Sequence, residues 1–363
     1  MKRIILLIYF LLLTMLPPPF HSAFGEEVSG ESLSAVSEQV EEIRGVLGRT
    51  RIGGWVDFVY KDTDQKDFKQ FFDLHHFYLY FDNKLNEYWQ AFGEVEYEHI
   101  PNLRKNGGSG RLKIERGYIQ FSPRDYMKFR FGKFNTPLGI WTPEHWAIYV
   151  DTITKPIHEE NVYVPSKSVG LEFLGSILIR LGGDMSTFFN YKAYLSNGPE
   201  IFGTNEPVDN QLGGGIDLSL DINDKYRLGV SGYFQHNPSP SLAGTAGRRE
   251  GSGMAYFDLG FPHGILIRGE LFYQGRGDGD PSVTAYYGKV KWSFNDKWYI
   301  NYRWNRGDDE KEGNGKRETV NTVTLSYWPI LEVRMKAELS NHSFESPIVE
   351  GYNAWMFWLG YIF

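Results

Sequence analysis

The sequence predicts an all-β fold: a transmembrane antiparallel β-barrel of about sixteen strands, preceded by a short N-terminal helical or coiled-coil segment. Three patterns in its 363 residues indicate this fold. Apolar residues alternate with polar ones within segments, short turns alternate with long polar stretches, and the final stretch has a large apolar residue at every second position. That final row is Trp355, Phe357, Leu359, Tyr361 and Phe363. A bilayer covers such a face if the strands close into a barrel that leaves no edge unpaired.

Residues 1–25 are predicted to be a signal peptide. Lys2 and Arg3 precede an apolar run over residues 4–16, and Ala23–Gly25 supplies the small residues of a cleavage site. The apolar run, of about 13 residues, is shorter than the roughly 20 that a membrane-spanning helix needs. We therefore expect cleavage after Gly25 and export of a chain that crosses a membrane with strands.

Residues 26–50 are predicted to form a periplasmic amphipathic helix or a short coiled coil. Their apolar residues are spaced alternately by three and four positions, as in the seam of a coiled coil. These residues are Leu33, Val36, Val40, Ile43 and Leu47. Two heptads are too few for a coiled coil that is stable alone, so a single helix on the barrel rim and a trimerising coil both stay open.

The predicted barrel occupies residues 51–363. Short turns built from Asn, Asp, Pro and Gly separate its strands. We place them at residues 83–86, 122–125, 223–225, 262–264, 295–297 and 328–330, with a seventh near 180–184. Longer polar stretches alternate with them, at residues 61–69, 101–110, 135–167, 197–210, 237–250, 275–281, 307–316 and 343–350. This asymmetry is typical of a barrel with short periplasmic turns and long external loops.

Alternation within the strands predicts which side chains face the lumen. Over residues 331–339 the odd positions are apolar and the even positions are charged. A barrel of about sixteen strands leaves an aqueous channel, so water would solvate the charged face. The basic side chains expected to point inward are Lys128, Arg130, Lys192, Arg227, Arg268, Lys289, Lys291, Arg303, Arg334 and Lys336. The acidic side chains expected there include Asp57, Glu94, Glu96 and Glu98.

The two signs of charge are segregated along the chain. The first three strands contribute acids to the predicted lumen, whereas the strands between Lys289 and Lys336 contribute chiefly bases. Across a pore, this arrangement predicts a transverse field that suits small polar or zwitterionic solutes better than one class of ion. The alternative is a wall on which most charges pair and simply hydrate the lumen.

The longest connection, residues 135–167, is predicted to be the third external loop. Its length exceeds what a connection needs, and such loops are usually functional. It resembles the third loop of sixteen-stranded porins, which folds into the barrel and sets the constriction; a loop folded over the rim is the alternative. The candidate constriction residues are Trp141, His145, Trp146, Asp151, Lys155, Glu159 and Glu160.

The composition argues against several kinds of chemistry. The sequence has no cysteine, which excludes disulfides and thiolate sites. Its formal charge of −7 argues against a nucleic-acid partner. The nine histidines are scattered, and the rings of the adjacent His75 and His76 are expected on opposite faces of a strand rather than around one metal ion. We therefore expect no enzymatic activity, no cofactor and no metal site.

One passage carries a family resemblance. Phe131–Gly139, with the sequence Phe-Gly-Lys-Phe-Asn-Thr-Pro-Leu-Gly, resembles the G-x-F-x-x-P-x-G passage of the phosphate-selective porin O/P family. Glu94–Glu98 and Pro165–Glu172 are similar to that family too. The resemblance implies a trimeric, sixteen-stranded channel in the outer membrane of a Gram-negative-type bacterium. The end of the chain at Phe363 also resembles the terminal strand that the outer-membrane assembly machinery recognises.

Together these observations predict a porin that passes small hydrophilic solutes or ions by diffusion. Expected partners are outer-membrane lipid and lipopolysaccharide, the assembly machinery, small polar solutes, and further copies of the chain in a homotrimer. One alternative is a channel selective for oxyanions such as phosphate or for sugars, with Trp141 and Trp146 in its binding surface. The mixed lumen departs from the dense Arg and Lys ladder that phosphate needs. A non-conducting structural anchor is the other alternative.

Overall fold

The computed structural model describes most of the predicted barrel. The described residues are 45, 48–66, 68, 70–99, 110–144, 146–160, 165–180, 185–197, 212–237, 248–276, 282–309, 316–345 and 349–363. The predicted signal peptide and nearly all of the predicted N-terminal helix lie outside them, so both stay predictions. Among the described residues, no helix has the length and apolar character needed to cross a membrane.

Sixteen antiparallel strands form a closed barrel, which confirms the predicted fold. The strands are β1 (Thr50–Thr63), β2 (Phe71–Lys84), β3 (Trp89–Glu98), β4 (Arg111–Arg124), β5 (Met127–Asn135), β6 (Lys167–Arg180), β7 (Ser186–Ser196), β8 (Gly213–Ile222), β9 (Tyr226–Asn237), β10 (Arg248–Phe261), β11 (Ile265–Arg276), β12 (Val283–Ser293), β13 (Trp298–Asp309), β14 (Lys316–Ile330), β15 (Val333–Phe344) and β16 (Tyr352–Ile362). Two short helices, α1 (Trp141–Glu144) and α2 (Ile157–Glu160), lie between β5 and β6, and a 3-10 turn spans Pro262–Gly264.

The barrel closes where β1 meets β16. Trp55 lies opposite Ile362 in an antiparallel ladder, and every other strand pairs with its neighbours in sequence. Beyond this pair, Gly54 and Phe363 exchange two backbone hydrogen bonds, of 3.0 and 2.9 Å. The C-terminal row of aromatic residues therefore belongs to the strand that closes the sheet and pairs its edges.

Short and long connections alternate as predicted, but three of the predicted turns begin too early. Strand β2 runs to Lys84, so the turn predicted at residues 83–86 lies at 85–88. Strand β4 runs through Pro123 to Arg124, and β14 runs through Pro329 to Ile330. In both places the pairing with the next strand shifts. A bulge at each proline explains the shift, because proline has no N–H to donate to the ladder. The chain therefore reverses at residues 125–126 and 331–332, later than predicted.

The barrel is polar inside and apolar outside. On β15, Arg334, Lys336 and Glu338 are buried, whereas Leu339 is 62% exposed. Successive side chains of a strand point to opposite faces of the sheet. The buried polar set therefore faces the interior of the barrel, and the exposed apolar set covers its outer wall.

Two apolar clusters lie within the polar interior. One contains Phe134, Leu138, Tyr194, Tyr233, Met254, Phe272, Val283 and Ala285. The other contains Trp55, Val59, Tyr78, Ile148 and Trp358. Leu138 and Ile148 come from the connection between β5 and β6, and full burial of one such side chain contributes about 1.5–3 kcal/mol. The connection is therefore packed against the barrel wall at two separate places.

Candidate functional site

The inner segment, residues 136–166 between β5 and β6, contacts distant parts of the barrel wall. Gly139 donates its N–H to Ser231 Oγ on β9 at 2.9 Å. Lys336 Nζ on β15 donates to the carbonyl of Ala147 at 2.6 Å. Strands β9 and β15 lie on different sides of a closed barrel. One segment can contact both Ser231 and Lys336 only if it lies inside the barrel. The described part of the inner segment, 136–144, 146–160 and 165–166, therefore runs through the interior.

A tight bend at Gly139 leads the inner segment towards β11. Gly139 has a φ of 68°, which glycine adopts without steric cost, and a Cβ there would collide with Met254 and Glu270. The carboxylate of Glu270 accepts the N–H of Ile140 and, at 3.3 Å, the N–H of Trp141. Trp141 is consequently buried at the start of α1.

Asp151 binds two lysines of β12. Its Oδ2 lies 2.6 Å from Lys289 Nζ, and its Oδ1 lies 2.8 Å from Lys291 Nζ. Burial raises the pKa of Asp151, but the charges of the two lysines and their hydrogen bonds outweigh burial and hold that pKa below its usual value. The carboxylate of the inner segment therefore stays ionised and neutralises one lysine charge.

Arg303 on β13 holds the backbone that follows Asp151. Its Nη1 donates to Thr152 Oγ1 at 2.8 Å and to the Thr154 carbonyl at 2.7 Å. Its Nη2 donates to Thr154 Oγ1 at 2.8 Å and to the Lys155 carbonyl at 3.1 Å. The buried guanidinium thus has four acceptors on one short stretch of the inner segment.

Two further bases on β15 bind backbone carbonyls of the inner segment. Arg334 donates to the Ile148 carbonyl, and its guanidinium lies 3.8 Å from the ring centroid of Trp328. Lys336 donates to the Val150 carbonyl at 2.6 Å, in addition to Ala147. Five of the predicted lumen bases therefore hold the inner segment: Lys289, Lys291, Arg303, Arg334 and Lys336.

Helix α2 places His158 against β11 and β12. The imidazole stacks on the rings of Phe272 and Tyr287, with a centroid separation of 6.0 Å in each case. Its Nε2 lies 3.7 Å from Glu270 Oε2. Burial lowers the pKa of His158 to about 4, so the ring is neutral at neutral pH.

The other predicted constriction residues have different surroundings. Glu159 accepts a hydrogen bond from the hydroxyl of Thr142, which ties α2 to α1. Lys155 and Glu160 have exposed side chains that border the interior cavity. His145 lies outside the described residues.

Trp146 lies where the inner segment meets the acidic side of the wall. Its ring stacks with that of Tyr149 at a centroid distance of 5.6 Å. The guanidinium of Arg116 lies 4.7 Å from the Trp146 ring and also binds the carboxylate of Glu94. Arg116 therefore couples one predicted lumen acid to the inner segment through a cation–π contact.

Strand β4 supplies cations that the sequence patterns did not indicate. Its pairing with β3 skips from Glu94–Arg116 to Val95–Ile114, so Glu115 is an extra residue in β4. Beyond this bulge, Lys113 Nζ lies 2.5 Å from Glu98 and 3.7 Å from Glu96. Because neighbouring bases compensate these acids, the transverse field expected from the segregated charges is reduced.

The remaining predicted lumen bases lie in ion pairs along the wall. The pairs are Lys128–Asp125 at 3.7 Å, Arg130–Glu172 at 2.5 Å, Lys192–Asp217 at 3.9 Å, Arg227–Asp221 at 2.7 Å and Arg268–Asp258 at 2.5 Å. Each of the ten predicted bases therefore has a carboxylate within 3.9 Å or donates a hydrogen bond to a backbone carbonyl.

The prediction that His75 and His76 face opposite sides of a strand is wrong. The ladder between β1 and β2 skips from Asp57–His76 to Phe58–Leu74, so His75 is the extra residue of a bulge. The two ring centroids lie 3.7 Å apart. The Nδ1 atoms of His75 and His76 lie 3.9 and 3.1 Å from the carboxylate of Asp57. A bulge can re-aim a side chain in this way, and the strict alternation assumed from sequence fails there.

An interior cavity of about 1030 Å³ separates the histidine pair from the inner segment. His75, Glu96 and Trp358 line it on the barrel side, and Thr154 and Lys155 line it on the side of the inner segment. The interior is therefore partly open beside the inner segment, and its lining is polar and aromatic.

No protein-family model and no curated protein matches the sequence. Several solved structures have a similar fold. The anion-selective porin from Comamonas acidovorans is 12% identical with a TM-score of 0.65, over 86% of this chain and 99% of that chain. OmpF of Salmonella typhi, in complex with daunomycin, is 12% identical with a TM-score of 0.60, over 86% and 97%.

OmpT of Vibrio cholerae is also 12% identical, with a TM-score of 0.59, over 86% of this chain and 97% of that chain. At such low identities, the likeness to all three proteins shows the fold alone. The chain thus has the barrel fold found in outer-membrane porins. Its resemblance to the phosphate-selective O/P family stays a prediction.

Proposed function

We propose that this protein is an outer-membrane porin that passes small hydrophilic solutes or ions by diffusion. The observation that carries the proposal is that the barrel is polar inside and apolar outside, the reverse of a water-soluble protein. Arg303 and Lys336 are buried inside it, whereas Leu339 and Trp292 are exposed on its outer wall. Such an apolar outer wall would be a liability in water, but in a bilayer it contacts lipid while the polar interior holds water.

The proposed location is the outer membrane of a Gram-negative-type bacterium. There the apolar wall contacts lipid and lipopolysaccharide, and the assembly machinery recognises the aromatic strand β16. We further propose a homotrimer, which a trimerising N-terminal coil over residues 26–50 would hold together. One in-vitro folded OmpT of Vibrio cholerae, 13% identical to this chain, is described as a trimer form.

The inner segment is proposed to set the narrowest part of the channel. Support comes from its hydrogen bonds to Arg303, Lys336 and Glu338, which hold it against the inner wall. A loop folded over the rim would not reach these three side chains. The same contacts favour a constriction that keeps its position while solutes pass.

The proposed solutes are small and polar rather than strongly anionic. A phosphate channel needs Arg and Lys side chains without competing acceptors. Here Arg303 and Lys336 donate to the backbone of the inner segment, and Lys289 and Lys291 share Asp151. This arrangement supports diffusion of neutral or zwitterionic solutes over the alternative of an oxyanion-selective channel.

Recordings from single barrels in planar bilayers test this proposal. The wild type should give stepwise, open currents. Replacement of residues 138–164 by a short Gly-Ser linker should raise the unit conductance, provided that the variant still shows the heat-modifiable gel mobility of a folded barrel. A matched variant shortened at residues 238–247, in another long connection, should keep a conductance near that of the wild type.

The same recordings separate the alternatives. Currents that phosphate or a sugar blocks at low concentration would favour a substrate-selective channel. Correctly folded wild-type barrels that pass no current would favour the structural anchor and contradict the proposed porin.

A further inference from the structure

Histidine and aspartate side chains from β1, from β2 and from His99, which follows β3, meet at one place on the inner wall. They form two groups that share His75: Asp57 with His75 and His76, and Asp73 with His75 and His99. Within each group, one potential ligand atom from every residue lies within 4.8 Å of the others. The bulge in β2 creates this arrangement, because it turns His75 to the same side as His76.

We propose that Asp57, His75 and His76 bind one divalent transition-metal ion. Two imidazoles and a carboxylate are ligands that Zn²⁺ and similar ions accept. Ligands about 2.1 Å from a tetrahedral ion lie about 3.4 Å from one another. The distances from Asp57 Oδ2 to His76 Nδ1, 3.1 Å, and to His75 Nδ1, 3.9 Å, lie on either side of that value.

The neighbouring groups fit one ion less well. His99 Nδ1 lies 2.6 Å from Asp73 Oδ2, which is too close for two ligands of one tetrahedral ion. A third group joins His76 to Glu96 and Glu98, but Lys113 Nζ lies 2.5 Å from Glu98 and would repel a second cation there. The Asp57 group is therefore the metal site.

Other residues hold the Asp57 carboxylate in place. Asp57 is 1% exposed. Its Oδ1 accepts the backbone N–H of His76 at 2.7 Å, and its Oδ2 accepts the indole N–H of Trp358. The ring of Trp55 packs edge-on against His76, with centroids 5.4 Å apart. Such supporting contacts orient ligands before the ion arrives.

The site is accessible from the interior of the barrel. His75 and His76 both line the cavity of about 1030 Å³ that borders the inner segment. With three protein ligands, a tetrahedral ion has a fourth position for water or for a ligand atom of a solute. The proposed ion is therefore exchangeable, and its binding does not depend on whether the channel conducts.

Isothermal titration calorimetry tests the site. The folded, untagged barrel in detergent is first treated with a chelator, which is then removed, and the barrel is titrated with ZnCl₂. The wild type should bind one Zn²⁺ per chain. His75→Ala and His76→Ala should each weaken that binding at least tenfold, on the order of what loss of a supporting contact already costs. His263→Ala is the matched control, because His263 is exposed in the 3-10 turn, and should bind Zn²⁺ as the wild type does.

Spectra of bound Co²⁺ provide a second measurement, because a tetrahedral site with imidazole ligands gives intense visible bands. If His75→Ala fails to fold, as judged by heat-modifiable mobility, Asp57→Asn replaces it and should lose both the bands and tight Zn²⁺ binding. Wild-type affinity in the folded variants would overturn the proposal. So would a wild-type barrel that binds Zn²⁺ only weakly and at many sites.

Discussion

Glu338 on β15 accepts two hydrogen bonds from Thr154, one from its N–H at 2.9 Å and one from its hydroxyl at 2.6 Å. The same carboxylate accepts the hydroxyl of Thr324 on β14 at 2.7 Å. The two partners Glu338 and Thr154 are 184 positions apart in sequence. One buried acid thus joins the barrel wall to the middle of the inner segment. Glu338 keeps the hydrogen bonds from Thr154 only while the inner segment stays in this position.

The first prediction concerns this connection. Glu338→Gln should loosen the inner segment without unfolding the barrel. One carboxylate oxygen, whose hydrogen bonds are worth about 1.5–3 kcal/mol each, becomes an NH₂ group that cannot accept them. Single-channel recordings should show a larger and noisier unit conductance. Glu332→Gln, in the exposed turn before β15, is the control and should behave as the wild type. A quiet, unchanged conductance in Glu338→Gln would show that the segment does not depend on this carboxylate.

The second prediction tests the outer wall. Leu339→Arg places a charge on the apolar outer face, where Leu339 is 62% exposed. It should lower the free energy of unfolding by up to about 2–4 kcal/mol, the value for the bilayer midplane. Leu331→Arg makes the same change in the turn before β15, where the cost should be about 0–1 kcal/mol. Denaturant unfolding in lipid vesicles measures both. Equal costs at the two positions would contradict the proposed membrane setting.

The third prediction is a pH dependence carried by His158. Burial lowers its pKa from 6.5 to about 4, so between these values the unfolded chain binds a proton that the folded chain does not. Stability should therefore fall as the pH falls from 6.5 towards 4. His158→Gln should remove part of this loss, measured as the unfolding midpoint at each pH. His263→Gln, in an exposed turn, should keep the wild-type profile, and an unaltered profile in His158→Gln would refute the assignment.

The barrel could be predicted from sequence because its main signal is local. Alternation of two kinds of side chain, as from Met335 to Leu339, follows directly from the geometry of a strand. Turn residues then mark where most strands end. Pro123 and Pro329 are exceptions, because a proline is typical of turns and each of these two lies in a bulge. The choice between turn and bulge depends on the partner strand, which local sequence does not specify.

The interior was harder to predict because bulges reverse the alternation. His75 is itself the extra residue of the bulge in β2 and faces the same side as His76. In β4 the extra residue is Glu115, and the next residue, Arg116, pairs with Glu94. The partners of the lumen bases could not be predicted either, because Lys336 donates to backbone carbonyls that are far away in sequence. Residue type indicated that these positions carry charge, but tertiary pairing determines whether that charge is available to a solute.

The last prediction separates structural from electrostatic roles of the lumen charges. Asp151→Asn leaves Lys289 and Lys291 without the carboxylate that lies 2.6 and 2.8 Å from them. The substitution leaves a buried lysine charge without its counter-charge, so the free energy of unfolding should fall by about 3–5 kcal/mol. Reversal potentials in a salt gradient should shift towards anions, because two lysines then lose their counter-charge. Adding Lys291→Met to Asp151→Asn should recover part of the stability and reduce the shift. If Asp151→Asn alone keeps wild-type stability and selectivity, Asp151 neither holds the inner segment nor compensates the lumen.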